Sequence, residues 1–544
     1  MPRNRLIRFA GRWLAAAVLA VAGTFTAVAA PPNPYEGRSA AASHNQIDDI
    51  VFARLDKLGI QPANNTPDTV FMRRVYLDTI GTLPTEAEVL AFLNDRSPDK
   101  RDGLIEKLLA RDEFADYWAM KWCDLLRVKS EFPINLWPNA VQAYDHWIRA
   151  SLRQNLPYDR FARELLTSNG SNFRVAQVNF YRAVQSKEPA TLAQAVALTF
   201  MGVRADKWPS DKLGSMAAFF SQVGYKATAE WKEEIVFFDP GKAGAQIPTL
   251  FPDGTKAVLA PDQDPRELFA NWLITPKNPW FTRNIANRVW SWLLGRGIIH
   301  EPDDIRPDNP PVNPELLALL EKELVASKYD LKALYRLILE SQTYQLSCVP
   351  ASTDPRAEVN FAFYPVRRLE AEVLIDAINQ ITGATEKYSS PIPEPFSFIP
   401  ETQRSITLAD ASITSPFLEL FGRSPRASGL EAERNNRPNG AQRLHLLNSS
   451  NIQKKLQQSA KLRALTQQSG KSPRDIILDL YLTILSRYPT NEEMRILTME
   501  SAPAAAPVSS SSSSSGSAPV SGNRRGTADL PWVLINSAEF QFRH

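Results

Sequence analysis

The chain has 544 residues, 44% hydrophobic and 22% charged, with a formal net charge of +3. That length and apolar content support real cores and more than one domain. The near-balanced charge leaves no electrostatic footprint for nucleic acid, which is excluded as a partner.

In chain order, Arg3, Arg5, Arg8 and Arg12 precede an apolar run from Trp13 to Ala22. Ala27-Val28-Ala29 then fits a small-x-small cleavage site. This reads as a signal peptide over 1–29, so the protein is expected to be exported, periplasmic or extracellular. The rival reading is an uncleaved N-terminal membrane anchor. Gly23, Thr24 and Thr26 interrupt the apolar core and leave it short for a span. No later run is long enough to cross a membrane. Cys123 and Cys348 are the only cysteines. An oxidising compartment would let them pair, but two separate buried thiols are the expected arrangement.

Residues 30–46 form a polar leader. From Ile47 the apolar spacing is helical, and Gly59 suits a C-terminal stop. Helical runs follow at 68–81, 85–94, 101–110, 112–129, 138–155, 157–168, 189–202 and 211–223. Pro84, Pro98, Pro133 and Pro157 punctuate them. The one convincing strand is Glu234–Phe238. This defines a helical domain over 47–240, then a linker over 241–264. Helical patterning resumes at 265–274, 281–294, 314–326, 330–342, 367–382, 441–467 and 472–487, a second helical domain over 265–500. Residues 501–526 are a Ser-rich disordered insertion, and 527–544 read as a C-terminal docking helix. The fold class is mostly α: two multi-helical domains with a few short strands or irregular Pro-rich segments.

A faint repeat links 76-YLDTIGTLPTEAEV-89 with 481-YLTILSRYPTNEEM-494. Each has a Thr that can cap a helix and a Glu three residues on that can reach back. Each leads to a Glu-Phe, at Glu113-Phe114 and Glu539-Phe540. Convergent capping chemistry is the competing explanation.

Chemistry-bearing residues are sparse. The five His lack metal-ligand spacing, so no metal site is expected. No nucleophile elbow, phosphate loop or dinucleotide fingerprint occurs. The densest polar segment, 300-HEPDDIRPDNPPVNPELL-317, holds Asp303, Asp304 and Arg306. It reads either as a hard-oxygen site or as a capped, ion-paired loop. A second segment, 421–442, holds Arg423, Arg426, Glu431, Glu433 and Arg434. It reads either as an ion-pair network or as a grip on an anionic ligand.

Several long motifs resemble the paired domains of unknown function 1549 and 1553, also called planctomycete cytochrome-associated domains. The first is carried by 73-RRVYLDTIGTLPTEAEV-89 and 146-HWIRASLRQNLPYDRFARELL-166. The second is carried by 283-RNIANRVWSWLLGRGII-299, 341-SQTYQLS-347, 417-FLELFGR-423, 443-RLHLLNS-449 and 536-NSAEF-540. The resemblance implies an exported, helix-rich protein without a settled activity. Similar proteins carry a Cys-x-x-Cys-His segment after the Gly-Val-Arg, whereas this chain reads Gly202-Val203-Arg204-Ala205-Asp206-Lys207-Trp208. Relatives also often carry Cys near Ser428-Gly429-Leu430-Glu431. Lacking the thiols and imidazole of the haem attachment pattern, this chain reads as a subgroup with no haem and no other cofactor.

Two functions follow as expectations. The first is an exported binding or scaffold component linked to polysaccharide or sulfated-glycan processing. The resemblance implies a partner protein resembling sulfatases, with a glycan as ligand. Arg423, Arg426 and Arg434 are its candidate ligand-binding residues. The alternative is a glycan-active enzyme, with Asp303, Asp304, Arg306, Glu431 and Glu433 as catalytic candidates. A redox cytochrome role is disfavoured by the missing motif.

Overall fold

The computed structural model describes residues 33–131, 136–397, 399–467, 470–500 and 525–544. The expected signal peptide, and the Ser-rich stretch up to residue 524, lie outside the described residues. Helices dominate, and the strands are few and short. No helix among the described residues is long and apolar enough to cross a membrane.

Most helices start where the sequence places a cap. Asn45 and Thr85 each close a capping box on the following helix, Gln46–Leu58 and Glu86–Asn94. Asn313 caps Pro314–Ala326 by accepting from Leu316 N, and Asp330 caps Leu331–Glu340. Satisfying the free N–H groups of the first turn in this way fixes where each helix begins. Gly59 and Gly295 end their helices in the left-handed conformation, which costs glycine little.

Residues 35–544 form one compact unit. Its core joins early and late segments of the chain. Trp118 and Trp122, on the helix Asp112–Leu125, lie 5.3 and 6.0 Å between ring centroids from Trp292, on Phe281–Leu294. Trp118 also lies 4.4 Å from Tyr335. Truncating one such buried ring costs about 3–5 kcal/mol.

Two small antiparallel sheets complete the fold of the described residues. In the first, Glu234–Phe238 is the central strand, between Gly170–Ser171 and Val223–Ala227. The second pairs Arg367–Arg368 with Phe542–Arg543, in the register Arg367 opposite Arg543. The expected helix over 367–382 therefore starts only at Ala371, and the docking helix gives way to a strand after Gln541. The physical reason is that the two segments pair as extended backbone, which puts Arg367 and Arg543 on one face and Arg368 and Phe542 on the other, an alternation that helical spacing would not allow. The expected run 441–467 is three helices, Gly440–Asn448, Ser450–Gln457 and Ala460–Thr466. Ser459 breaks it by accepting from Leu462 N and donating to Thr382 O at 2.6 Å.

The sequence echo has a structural counterpart. Arg111 donates to Glu88 and Glu113, the capping glutamate and the glutamate of the first Glu-Phe. Arg487 donates to Glu493 and Glu539, the matching pair in the second copy. Tyr76 and Tyr481 lie beside these arginines, 5.8 and 5.3 Å from ring centroid to guanidinium carbon. The same clamp thus recurs with the same parts, although its arginine comes from a different sequence position in each copy.

Candidate functional site

A cluster of buried charges lies where the early and late segments meet. Asp78 comes from the helix Asp68–Thr79, and Lys121 and Asp124 from Asp112–Leu125. Arg367, Arg368, Glu370 and Glu372 come from the strand-to-helix segment before Thr382, and Arg543 from the last strand. All but Arg367 are buried.

Every one of these charges except Arg368 has an opposite charge within ion-pair distance among the described residues. Arg543 donates to Glu370 Oε2 at 2.6 Å, and its Nε lies 3.1 Å from Asp78 Oδ1. Lys121 Nζ donates to Glu370 Oε1 at 2.7 Å. Asp78 Oδ2 accepts from the Tyr344 and Tyr364 hydroxyls at 2.9 and 2.7 Å. Arg367 donates to the Trp292 and Leu293 carbonyls at 2.8 and 2.6 Å. Burial alone would raise the Glu370 carboxyl, but Arg543 and Lys121 hold it well below the usual carboxylate range. Such groups stay ionised only because partners replace the lost water.

The sequence candidates fall on the edge of this cluster. Arg426 Nε donates to Asp124 Oδ1 at 2.9 Å. Arg434 donates to Asp124 Oδ2 at 2.9 Å and to Glu372 Oε2 at 2.6 Å. Arg423 lies 3.3 Å from Glu372 and donates to the Asp410 and Ile413 carbonyls. Burial opposes ionisation of Glu372 as well, yet Arg434 and Arg423 keep its carboxyl low.

The candidate carboxylates are all engaged. Asp303 Oδ1 accepts from Arg288 at 2.8 Å, and its Oδ2 accepts from Glu431 N at 2.7 Å. Glu431 accepts from Trp292 Nε1 at 3.1 Å. Glu433 accepts from the Ala427 and Ser428 backbone N–H groups at 3.0 and 2.7 Å. Asp304 accepts from Arg306 at 3.1 Å, on an exposed loop. Asp303 and Glu431 are thus brought together around Arg288. Asp304 and Arg306 stand apart from them as a local loop pair.

Beside the cluster opens a cavity of about 600 Å³. Its lining holds Arg367, Arg368, Arg434, Arg437 and Arg543 against only Glu301 and Glu370. Arg368 is 6% exposed, and its bonds go to the neutral Gln442 and Gln541 side chains at 2.6 and 3.3 Å. Burial, then the neighbouring Arg443, pushes its pKa down. Neither Arg368 nor Arg437 has a carboxylate within ion-pair distance among the described residues. Gly422 seats this loop: its φ is +85°, its carbonyl accepts from Asn435 N at 3.0 Å, and an added Cβ would lie 1.9 Å from Asn435 O.

Sequence reasoning missed Asp78, Lys121, Asp124, Arg368, Glu370, Glu372 and Arg543. A signal was present, since Lys121 and Asp124 interrupt the apolar run 114–126. The alternation of Arg368, Glu370 and Glu372 with apolar residues in 367-RRLEAEV-373 is another.

The link after Gly202 lines a second cavity, of about 330 Å³, together with Arg127, Ala427, Ser428 and Leu430. The two places where this chain departs from the resembling pattern therefore share one cavity. Among the described residues its lining carries neither thiol nor imidazole, so it does not fit a covalently attached haem. Cys123 is buried and Cys348 half-buried, and they are not joined.

Comparison with known proteins places the chain in a family. Residues 46–223 match the family described as PSCyt2, protein of unknown function (DUF1549). Residues 265–500 match PSD1, protein of unknown function (DUF1553). No curated protein and no solved structure matches the chain. With both matches in sequence and together spanning most of its length, the chain belongs to the paired DUF1549–DUF1553 family.

Proposed function

We propose that this protein is an exported binding component that holds an oxyanion group, such as the sulfate of a sulfated glycan, in the arginine cavity. The observation that carries the reading is the charge imbalance there. Of the five arginines that line the cavity, Arg367, Arg434 and Arg543 are paired with Asp78, Asp124, Glu370 or Glu372, whereas Arg368 and Arg437 have no carboxylate partner among the described residues. A guanidinium offers a planar fork of donors that matches an oxyanion two bonds at a time. The buried cluster behind the cavity holds Arg434 and Arg543 rigid, which lowers the entropy lost on binding.

Engagement of Asp303, Asp304, Glu431 and Glu433 within the fold favours binding over the alternative of a glycan-active enzyme. Glycoside hydrolysis generally needs two carboxyl groups free to flank the scissile bond. A sulfatase-like partner and the division into domains over 47–240 and 265–500 belong to the same proposal and rest on the family resemblance. The test is retention of the protein on an immobilised sulfated polysaccharide and on its desulfated form. Retention on the first alone supports the reading; equal behaviour on both removes it.

A further inference from the structure

A separate groove, of about 600 Å³, runs along the helix Pro138–Arg153. We infer that it is a binding site for a neutral sugar chain, with one pyranose ring stacked on Phe396, which lines the groove, and the chain continuing over Trp137 and Trp231, which extend from Phe396 beyond the groove's lining. These rings come from three distant segments and meet edge to face. Trp137 lies 6.5 Å from Trp231 and 5.4 Å from Phe396, between centroids. Trp231 is 65% exposed and Phe396 51% exposed. Rings assembled this way but left in water offer flat apolar faces to a ligand.

The wall beside them is polar and regular. Asn139, Gln142, His146, Arg149 and Arg153 all line the groove and recur at helical spacing on one face. That spacing presents one hydrogen-bonding group about every 5.4 Å, close to the length of one ring unit in an extended sugar chain. Arg149 and Arg153 are held by Asp116 and Asp112. Asn139, Gln142 and His146 are exposed and outside any such pair. Planar amide and imidazole groups both donate and accept, as sugar hydroxyls do.

The inference does not rest on the arginine cavity, and its test separates the two. The intact protein is titrated with neutral gluco-, manno-, galacto- and xylo-hexasaccharides, reading tryptophan fluorescence and heat. At least one is expected to bind with a Kd of ~1 mM or tighter. Trp231→Ala should weaken that binding roughly tenfold, and Gln142→Ala with His146→Ala roughly as much, about 1.4 kcal/mol each. All three residues are exposed, and unchanged unfolding curves confirm that the variants fold. Arg368→Gln with Arg437→Gln should leave it unchanged. Failure of all four sugars to bind, or binding indifferent to Trp231→Ala, overturns the inference. Uptake of an aromatic-rich peptide in their place overturns it as well.

Discussion

Arg543 and Glu370 meet at 2.6 Å across the two-stranded sheet, tying the last strand to the segment that opens the helix Ala371–Thr382. Both side chains are almost fully buried. Replacing Arg543 with Met leaves Glu370 to Lys121 alone and takes a cation from Asp78. Breaking one partner out of a buried pair costs about 3–5 kcal/mol. Arg543→Met should therefore lower the unfolding free energy extracted from urea unfolding by that much. A loss below about 1 kcal/mol, the size of an exposed pair, would contradict the account.

The two arginine clamps differ in burial and should differ in worth. The Arg487 side chain is 5% exposed and Arg111 is 31% exposed. Arg487→Ala is expected to cost about 3 kcal/mol, because Glu493 and Glu539 lose their common cation. Arg111→Ala should cost about 1 kcal/mol. Equal losses in parallel unfolding curves would sink the idea that burial sets the strength of the clamp.

Gly422 has no room for a side chain. Gly422→Ala should push Asn435 outward and carry Arg434 and Arg437 with it, lowering both Tm and oxyanion affinity. Gly103, inside the helix Lys100–Ala110, has nothing within 4 Å of an added Cβ. Gly103→Ala should gain about 0.5–1 kcal/mol. Thermal unfolding of the two variants should move in opposite directions.

Acid stability should fall in two stages. Burial, then Arg73, pushes the His544 imidazole down from 6.5 to about 4. The folded state therefore keeps it neutral, while the unfolded chain takes a proton below about 6.5. Its contribution, on the order of 3 kcal/mol, is complete above that pH and lost as pH falls towards 4. Burial alone would raise the Glu493 carboxyl, but Arg487 and Thr490 bring it from 4.5 down to about 2. That contribution is present above about 4.5 and lost as pH falls through 2. His544→Phe should flatten the first stage and leave the second, as read from urea midpoints across pH.

The helices were largely legible because their signals are local: the apolar spacing from Ile47, the Gly59 stop and the Thr85 capping box lie beside the turns they set. The strand Glu234–Phe238 was legible from its β-branched and aromatic run. The pairing of Arg367 with Arg543 was not, since residues far apart in sequence supply its two strands. The candidate site was legible in half. Arg423, Arg426 and Arg434 stood out in a polar segment, but their partners Asp124 and Glu372 sit within apolar helical runs. A buried charge on such a helix looks like an interruption until its counter-charge arrives from elsewhere in the chain.

The most direct test of the account is calorimetric titration of the folded protein with a hexose 6-sulfate and with the unsulfated hexose. The wild-type protein is expected to bind the sulfated sugar at least roughly tenfold more tightly, with affinity falling as salt rises. Arg368→Gln with Arg437→Gln should remove that preference, and Arg437→Gln alone, at an exposed side chain, should weaken it without lowering Tm. A wild-type protein that binds both sugars equally, or a double variant that keeps the preference, would contradict the assignment of the arginine cavity as an oxyanion site.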